Sequence, residues 1–223
     1  MRSVAAWTPP AGTLAGAPDV RFLPPLVRRR CDDLTRAMLH AAQACASPEA
    51  LAACACVFAS RHGSLTALVE LLDSLVAAKP LSPNTFSHSV HNAPAGVFSV
   101  WAQNRGACSS VAAGRETFVT ALVESLGLLA REPARDVLLV CGDEFALAPF
   151  AAEIGADAPT RAVALLLGAS GEGAALSLAL ERADGETGSA ADPDELAFAA
   201  WWASTAQSLA LVHGERRWTL TRG

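Results

Sequence analysis

No uninterrupted apolar run in this sequence reaches the roughly 18 residues that a membrane-spanning helix needs, although half of the chain is hydrophobic. The start of the chain also lacks the pattern of a secretory leader. A single arginine precedes a short apolar patch, which Pro9 and Pro10 interrupt. A cytoplasmic location is therefore expected. Basic charge is scarce: 17 Lys and Arg face 22 Asp and Glu, a formal net charge of −5. That balance argues against nucleic acid as a partner, because phosphate binding wants a basic face. There is no C-x-x-C. Cys54 and Cys56 form a C-x-C, and no second pair stands at a zinc-like spacing, so no metal site is expected. The six cysteines (Cys31, Cys45, Cys54, Cys56, Cys108 and Cys141) read as free thiols, and Cys54 and Cys56 as small buried hydrophobes on one face of a strand. No Gly-x-Ser-x-Gly elbow is present, which disfavours a Ser–His–Asp hydrolase. The glycine-rich run Gly168 to Gly173 lacks the lysine of a phosphate loop, which disfavours a nucleotide site. Nothing calls for a cofactor, and no internal repeat or low-complexity tract is visible.

What remains is a chain long enough to bury a sizeable core, with strands and helices alternating up to Cys141. Leu34, Met38, Ala41, Ala42 and Cys45 repeat at helical spacing after a cap at Asp32 or Asp33, and Ser47-Pro48 ends that helix. A short helical segment from Glu49 leads into the run Cys54 to Ala59, which suits a strand buried on both faces. Ser64 is placed to cap a helix with Leu65, Leu68, Val69, Leu72 and Leu75 inward. Two short helical pieces between Phe86 and Trp101 are expected to meet at Asn92 to Gly96. A strand at Ser109 to Ala112 precedes a helix from about Arg115 to Ala130, with Phe118, Leu122, Val123, Leu126 and Leu129 inward. Asp136 to Cys141 is the clearest buried strand. A short strand is expected at Val20 to Leu23, and a hairpin from Ala162–Leu167 and Ala174–Leu180. Pro193 to Ser204 reads as a helix, and Arg217 to Leu220 as a final edge strand. The class is α/β, a layered α-β-α arrangement on a mixed sheet. Residues 1–223 read as one domain, with a core of about 20–180 and a C-terminal extension at 184–223. Trp201, Trp202 and Trp218 are expected to cover apolar surface there.

The run Leu81 to Gly96, followed by Asn104-Arg105-Gly106, resembles the β-ketoacyl synthases. Asn92-Ala-Pro-Ala-Gly96 is similar to their Asn-Met-Pro-Ala-Gly segment, and Asn104-Arg-Gly-Ala107 to the turn before their nucleophile strand. Phe58 to Gly63 and Val137 to Glu144 occupy fitting places. The pattern resembles a truncated subgroup, the chain length factors of aryl polyene and related fatty-acid-like pathways. That resemblance implies the thiolase-like fold, of which a complete synthase has two similar halves. The first half supplies the nucleophilic cysteine and most of a dimer interface. The second supplies two histidines. This chain has the length of one half.

Cys108-Ser109-Ser110 mimics the lettering of the synthase active site but not its position. The family places its nucleophile about ten residues after the Arg-Gly turn, at a strand-to-helix junction where a helix N-terminus favours the thiolate. That count lands on Arg115, with Glu116 a neighbour that could pair with it. A guanidinium stays protonated and cannot attack a thioester. No catalytic residue is therefore expected, with Cys108 as the alternative nucleophile. On a helix, His88 and His91 would be three apart and share a face. They could act as ligands or acid–base groups, but a packed structural role is favoured, as it is for His62.

The resemblance therefore implies a non-catalytic subunit that pairs with a full-length ketosynthase in chain elongation dependent on an acyl carrier protein. Phe86, His88, His91, Asn92, Phe98 and Trp101 are candidates for the partner interface or the acyl tunnel. Arg28, Arg29 and Arg30 are candidates for carrier docking, against the plainer reading of a solvated basic stretch. Two alternatives stay open: an independent acyltransferase or thioesterase using Cys108 with His62, His88 or His91, and a homodimeric module that binds the carrier.

Overall fold

The computed structural model describes residues 1–7, 16–144, 159–169, 173–183 and 193–223. Its centre is a five-stranded mixed sheet with strand order β1-β5-β4-β2-β3. These strands are β1 (Ser3–Trp7), β2 (Ala55–Ala59), β3 (Cys108–Val111), β4 (Val137–Asp143) and β5 (Arg161–Leu167). β3, β2 and β4 run parallel to one another, while β5 is antiparallel to both β4 and β1. Every residue of β2, β4 and β5 is buried, which is why these strands read as continuous apolar runs.

Alternation along the strands divides the core into two layers. Cys56, Phe58, Leu138, Val140, Ala162, Ala164 and Leu166 face one side. There they meet α2 (Asp33–Cys45) and α6 (Ala93–Trp101). Val57, Ala59, Val137, Leu139, Cys141, Val163 and Leu165 face the other side. They meet α7 (Thr117–Arg131) and α8 (Asp194–Ala203). Burial of each large side chain, such as the fully enclosed Phe58, Phe98, Phe118 and Phe198, contributes about 1.5–3 kcal/mol. The order of layers is α-β-α.

A second, antiparallel sheet has the order β6-β8-β7, built from β6 (Leu176–Arg182), β7 (Ser208–His213) and β8 (Arg216–Arg222). Leu211, Trp218 and Leu220 pack into the same layer as α7 and α8. Phe198 of α8 lies 5.2 Å from Phe118 of α7, and Trp201 is buried beside it. The Arg222 guanidinium sits 4.8 Å from the rings of both Trp201 and Trp202. The tryptophans thus cover apolar surface as expected.

Several local expectations are corrected. Residues 162–167 and 174–180 do not form a hairpin: β5 is paired between β4 and β1, and β6 pairs with β8 of the other sheet. β8 is the centre of its sheet rather than an edge, and β1 and β7 were not anticipated. The apolar Val20–Leu23 segment is a turn closed by a Leu23 N–H to Val20 C=O bond of 3.0 Å; its hydrophobicity reflects packing under α2. α5 (Pro83–His88) and α6 meet at residues 89–92, before the expected Asn92–Gly96. Pro94 falls in the first turn of α6, where no N–H is required. Ser64 precedes α4 (Leu65–Val76) without a side-chain capping bond. Glu144, just after β4, supplies the cap from a distance. Its two oxygens accept the N–H of Thr66 at 2.9 Å and of Leu34 at 3.4 Å, so one carboxylate serves the N-termini of α4 and α2.

The largest departure concerns α4. Leu65 and Ala67 are buried, but Leu68, Leu72 and Leu75 are exposed at 39%, 41% and 63%, and Val76 at 88%. Beyond Leu65 and the half-buried Val69, the stripe expected inward faces out. Val123 and Leu126 of α7 are likewise exposed, whereas Phe118, Leu122 and Leu129 are buried.

Candidate functional site

The parallel strands β2, β3 and β4 all deliver their C-terminal ends to one edge of the sheet, where layered α/β proteins place functional groups. β3 ends at Val111, a 3₁₀ turn spans Gly114–Glu116, and α7 follows directly. Gly114 has φ +58°, a conformation that favours glycine. The Thr117 hydroxyl donates to the Gly114 carbonyl at 2.7 Å and accepts the Ala113 N–H at 3.0 Å, which locks the junction. This is the strand-to-helix corner that the spacing predicted, and Arg115 stands on it, exposed. Glu116 does not pair with Arg115. Its carboxylate is held by Arg216 at 2.9 Å and by the Trp218 indole N–H at 3.2 Å, both from β8. The C-terminal sheet is thus tied to the corner, and among the described residues no side-chain bond or ion pair engages Arg115.

Cys108 begins β3, at the opposite end from that corner. It is exposed and pairs in register with Cys56. His62 and His91 lie at the other edge: the His91 ring Nε2 is 2.8 Å from the carbonyl oxygen of Ser60, which follows β2. Three residues of strand, at about 3.3 Å each, separate the Cys56–Cys108 pair from the end of β2 at Ala59, so about 10 Å of sheet lies between Cys108 and that edge. A Cys108–His62 or Cys108–His91 dyad at hydrogen-bond distance is not formed. Burial lowers the His62 pKa, against the opposing pull of Asp143, and its Nε2 has no described partner. His88 ends α5 with Nδ1 enclosed and no described partner.

Of the aromatic candidates, Phe86 is on the surface, 61% exposed. Phe98 is not: it is fully buried between Phe58, at 5.3 Å, and Trp101, at 5.9 Å, because α6 turns it onto β2. It anchors α6 and presents nothing outward. Trp101 is half-buried against Phe22, ring centroids 4.4 Å apart, and Asn92 is exposed ahead of α6. Arg28 closes the short helix α1 (Pro25–Arg28), with Arg29 and Arg30 exposed after it and Leu26 beside them 70% exposed.

Asn104 explains the most specific part of the motif. It is buried, and its amide NH₂ donates to the carbonyls of Leu51 at 2.7 Å and Cys54 at 2.9 Å. Its Oδ1 accepts the Gly106 N–H at 2.8 Å. A side chain at Gly106 would collide with the Cys54 carbonyl oxygen. The Asn-Arg-Gly turn is therefore a clamp that sets β3 beside β2.

Sequence reasoning missed a buried charge network at the same edge. Asp143 Oδ1 accepts the Ser60 hydroxyl at 2.7 Å and the Arg61 N–H at 2.8 Å. Arg161, opposite Asp143 in the β4–β5 register, lies 3.4 Å from Asp143 and 2.6 Å from Glu195. Next to Glu195, Asp194 pairs with His213 at 2.8 Å. Burial pushes the Glu195 carboxyl up, partly offset by Arg161. The signal available in the sequence was a charged residue at the end of an otherwise apolar strand, at Asp143 and again at Arg161.

The family model described as beta-ketoacyl synthase, N-terminal domain matches residues 5–220. No curated protein matches the chain. Among solved structures, it is similar to one described as the ketosynthase ApeO in complex with its chain length factor ApeC from Xenorhabdus doucetiae. The TM-score is 0.83 at 24% identity, covering 98% of this chain and 97% of that one. It is also similar to the ishigamide ketosynthase/chain length factor, with TM-score 0.60 and 20% identity over 75% of this chain and 54% of that one. A beta-ketoacyl synthase from Burkholderia phymatum STM815 aligns with TM-score 0.54 and 14% identity, over 68% and 45%. The chain thus spans about half the length of the latter two. These likenesses show the thiolase-like ketosynthase fold. Among the described residues, no helix is long and apolar enough to cross a membrane.

Proposed function

Because the chain belongs to the β-ketoacyl synthase N-terminal domain family, we propose that it is a non-catalytic chain-length-factor subunit that pairs with a full-length ketosynthase. The observation that carries this reading is Arg115 at the strand-to-helix corner between β3 and α7. By the family's spacing this corner would be the nucleophile's place, and a permanently protonated guanidinium there could not serve as one. Cys108, at the other end of the strand, has neither the helix N-terminus nor a base at hydrogen-bond distance in His62 or His91.

The surface supports a partner. Leu68, Leu72, Leu75 and Val76 of α4, with Phe86 and Val90 around α5, expose apolar side chains in a region where α4 and α5 pack together. Large apolar side chains left exposed on two packed helices are the kind of surface that a partner covers. β3 is an edge strand whose outer side has no strand partner among the described residues. The likeness to chains solved as ketosynthase–chain length factor complexes points to the kind of partner. In this reading the partner performs decarboxylative condensation of an acyl thioester with malonyl on an acyl carrier protein. This subunit braces the partner and limits the product by steric bulk, with Phe86, Trp101, His88, His91 and Asn92 near the contact. Arg28, Arg29 and Arg30 would meet an acidic carrier. An aryl-polyene-type product follows from the resemblance of the Leu81–Gly106 segment.

The test is co-expression with the neighbouring full-length ketosynthase, followed by size-exclusion chromatography with mass determination. An equimolar complex is expected, with condensation activity that survives Cys108→Ala and is lost with complex formation in Leu72→Asp. A monodisperse lone chain, or a homodimer, that ignores the ketosynthase sinks the proposal.

A further inference from the structure

Three of the six thiols lie side by side where β2 and β3 begin. Cys54 Sγ is 3.8 Å from Cys56 Sγ. Cys56 is the in-register partner of Cys108 across the parallel β2–β3 ladder. Register partners on neighbouring strands point to the same face, and strands stand about 4.8 Å apart, inside the Cα–Cα range of about 4.4–6.8 Å that a disulfide spans. Cys56 and Cys54 are enclosed, at 0% and 1% exposure, whereas Cys108 is exposed. The remaining thiols differ in kind. Cys31 donates to the Val27 carbonyl, Cys45 bonds with Ser3, and Cys141 is sealed inside the sheet, where burial raises its pKa.

We propose that Cys108 and Cys56 form a peroxide-oxidisable pair, with Cys108 as the reacting thiol and Cys56 as the resolving thiol. The step is balanced in two parts. The Cys108 thiolate attacks one oxygen of a hydroperoxide, the O–O bond breaks, and Cys108 becomes a sulfenic acid while hydroxide (or alkoxide) leaves with the electron pair. Cys56 sulfur then attacks the Cys108 sulfur, the S–O bond breaks, and the Cys56 proton leaves with the hydroxyl as water. Two thiols are oxidised and one peroxide is reduced. The surroundings suit these roles. A hydrogen bond from Cys56 lowers the Cys108 pKa, which favours its thiolate, while Cys56 itself is pushed up and stays protonated until it resolves. Cys108 has no catalytic role in the function proposed above, but it opens β3, the edge strand offered there to a partner, so the chemistry belongs to the chain before that edge is covered.

The experiment treats the free, folded chain with one equivalent of hydrogen peroxide, counts thiols and maps peptides by mass spectrometry. Two of the six thiols should disappear, and a Cys56–Cys108 cross-linked peptide should appear. Cys108→Ser should leave the buried thiols unoxidised in the folded protein. Cys56→Ser should halt the reaction at a Cys108 sulfenic acid that dimedone traps. Unchanged thiol counts in the wild type, or a Cys108 that proceeds to sulfinic acid while Cys56 stays free, would overturn the proposal. Rescue of the native thiol count by dithiothreitol separates the disulfide from irreversible oxidation.

Discussion

Replacing Asn104 tests whether the Asn-Arg-Gly turn is a clamp or merely a filled space. The residue is 7% exposed and makes three hydrogen bonds, to the carbonyls of Leu51 and Cys54 and from the N–H of Gly106. Asn104→Ala removes the amide from the carbonyls of Leu51 and Cys54, of which Leu51 keeps only the weak Cys54 thiol at 3.5 Å, and leaves the Gly106 N–H without its acceptor. Each unsatisfied group costs about 1–3 kcal/mol, and partial entry of water reduces the sum, so a loss of about 3 kcal/mol is expected. Asn104→Asp is the sharper probe because it keeps the shape. Its carboxylate has no N–H to offer and faces two carbonyl oxygens, so at neutral pH the loss should equal or exceed that of alanine. That environment raises the introduced carboxyl's pKa above its unfolded value. Stability should therefore be recovered as pH falls through the raised pKa, when the protonated acid can donate one bond. Urea unfolding, with an unchanged m-value and a shifted midpoint, measures this. An Asn104→Asp protein within about 1 kcal/mol of wild type at neutral pH would refute the clamp, since a space-filling residue tolerates its isostere.

Gly106→Ala should destabilise by about 1–3 kcal/mol in the same assay, because the added Cβ meets the backbone oxygen of Cys54, which cannot swing aside. Arg161→Met should cost about 3–5 kcal/mol, because it leaves Asp143 and Glu195 buried without their cation. Part of that loss should be recovered as the pH is lowered, because Glu195, whose carboxyl is already pushed up by burial, takes a proton and no longer needs the cation. His62 has a folded pKa below its ordinary value of 6.5, chiefly from burial. The unfolded chain therefore binds the proton first, and the stability His62 contributes is full above that value and lost as pH falls below it. His62→Gln should flatten the slope of unfolding free energy against pH in that range; an unchanged slope would show that another group titrates there.

The sequence by itself determined the elements whose signals are local. α2 follows from its apolar spacing and the Asp32 cap, which accepts the Thr35 N–H at 2.7 Å. β2 and β4 follow from apolar runs too continuous for a strand with a wet face. The β3–α7 corner followed from a short strand run ahead of an amphipathic helix, and the resemblance to the synthase family is what singled out Arg115 on it. Only the tertiary structure decided how the pieces meet. β5 and β6 are adjacent in sequence and look like a hairpin, yet β5 lies between β4 and β1 while β6 pairs with β8, because strand pairing depends on which edges and faces are open in the whole fold. Glu144, Asp143, Arg161 and Glu195 are ordinary charged letters until strands from distant segments bring them together. The same reason explains α4: its leucines are spaced for burial, but the amphipathic pattern records only that a stripe is apolar. In the chain alone that stripe stays on the surface, since no segment among the described residues is placed to cover it.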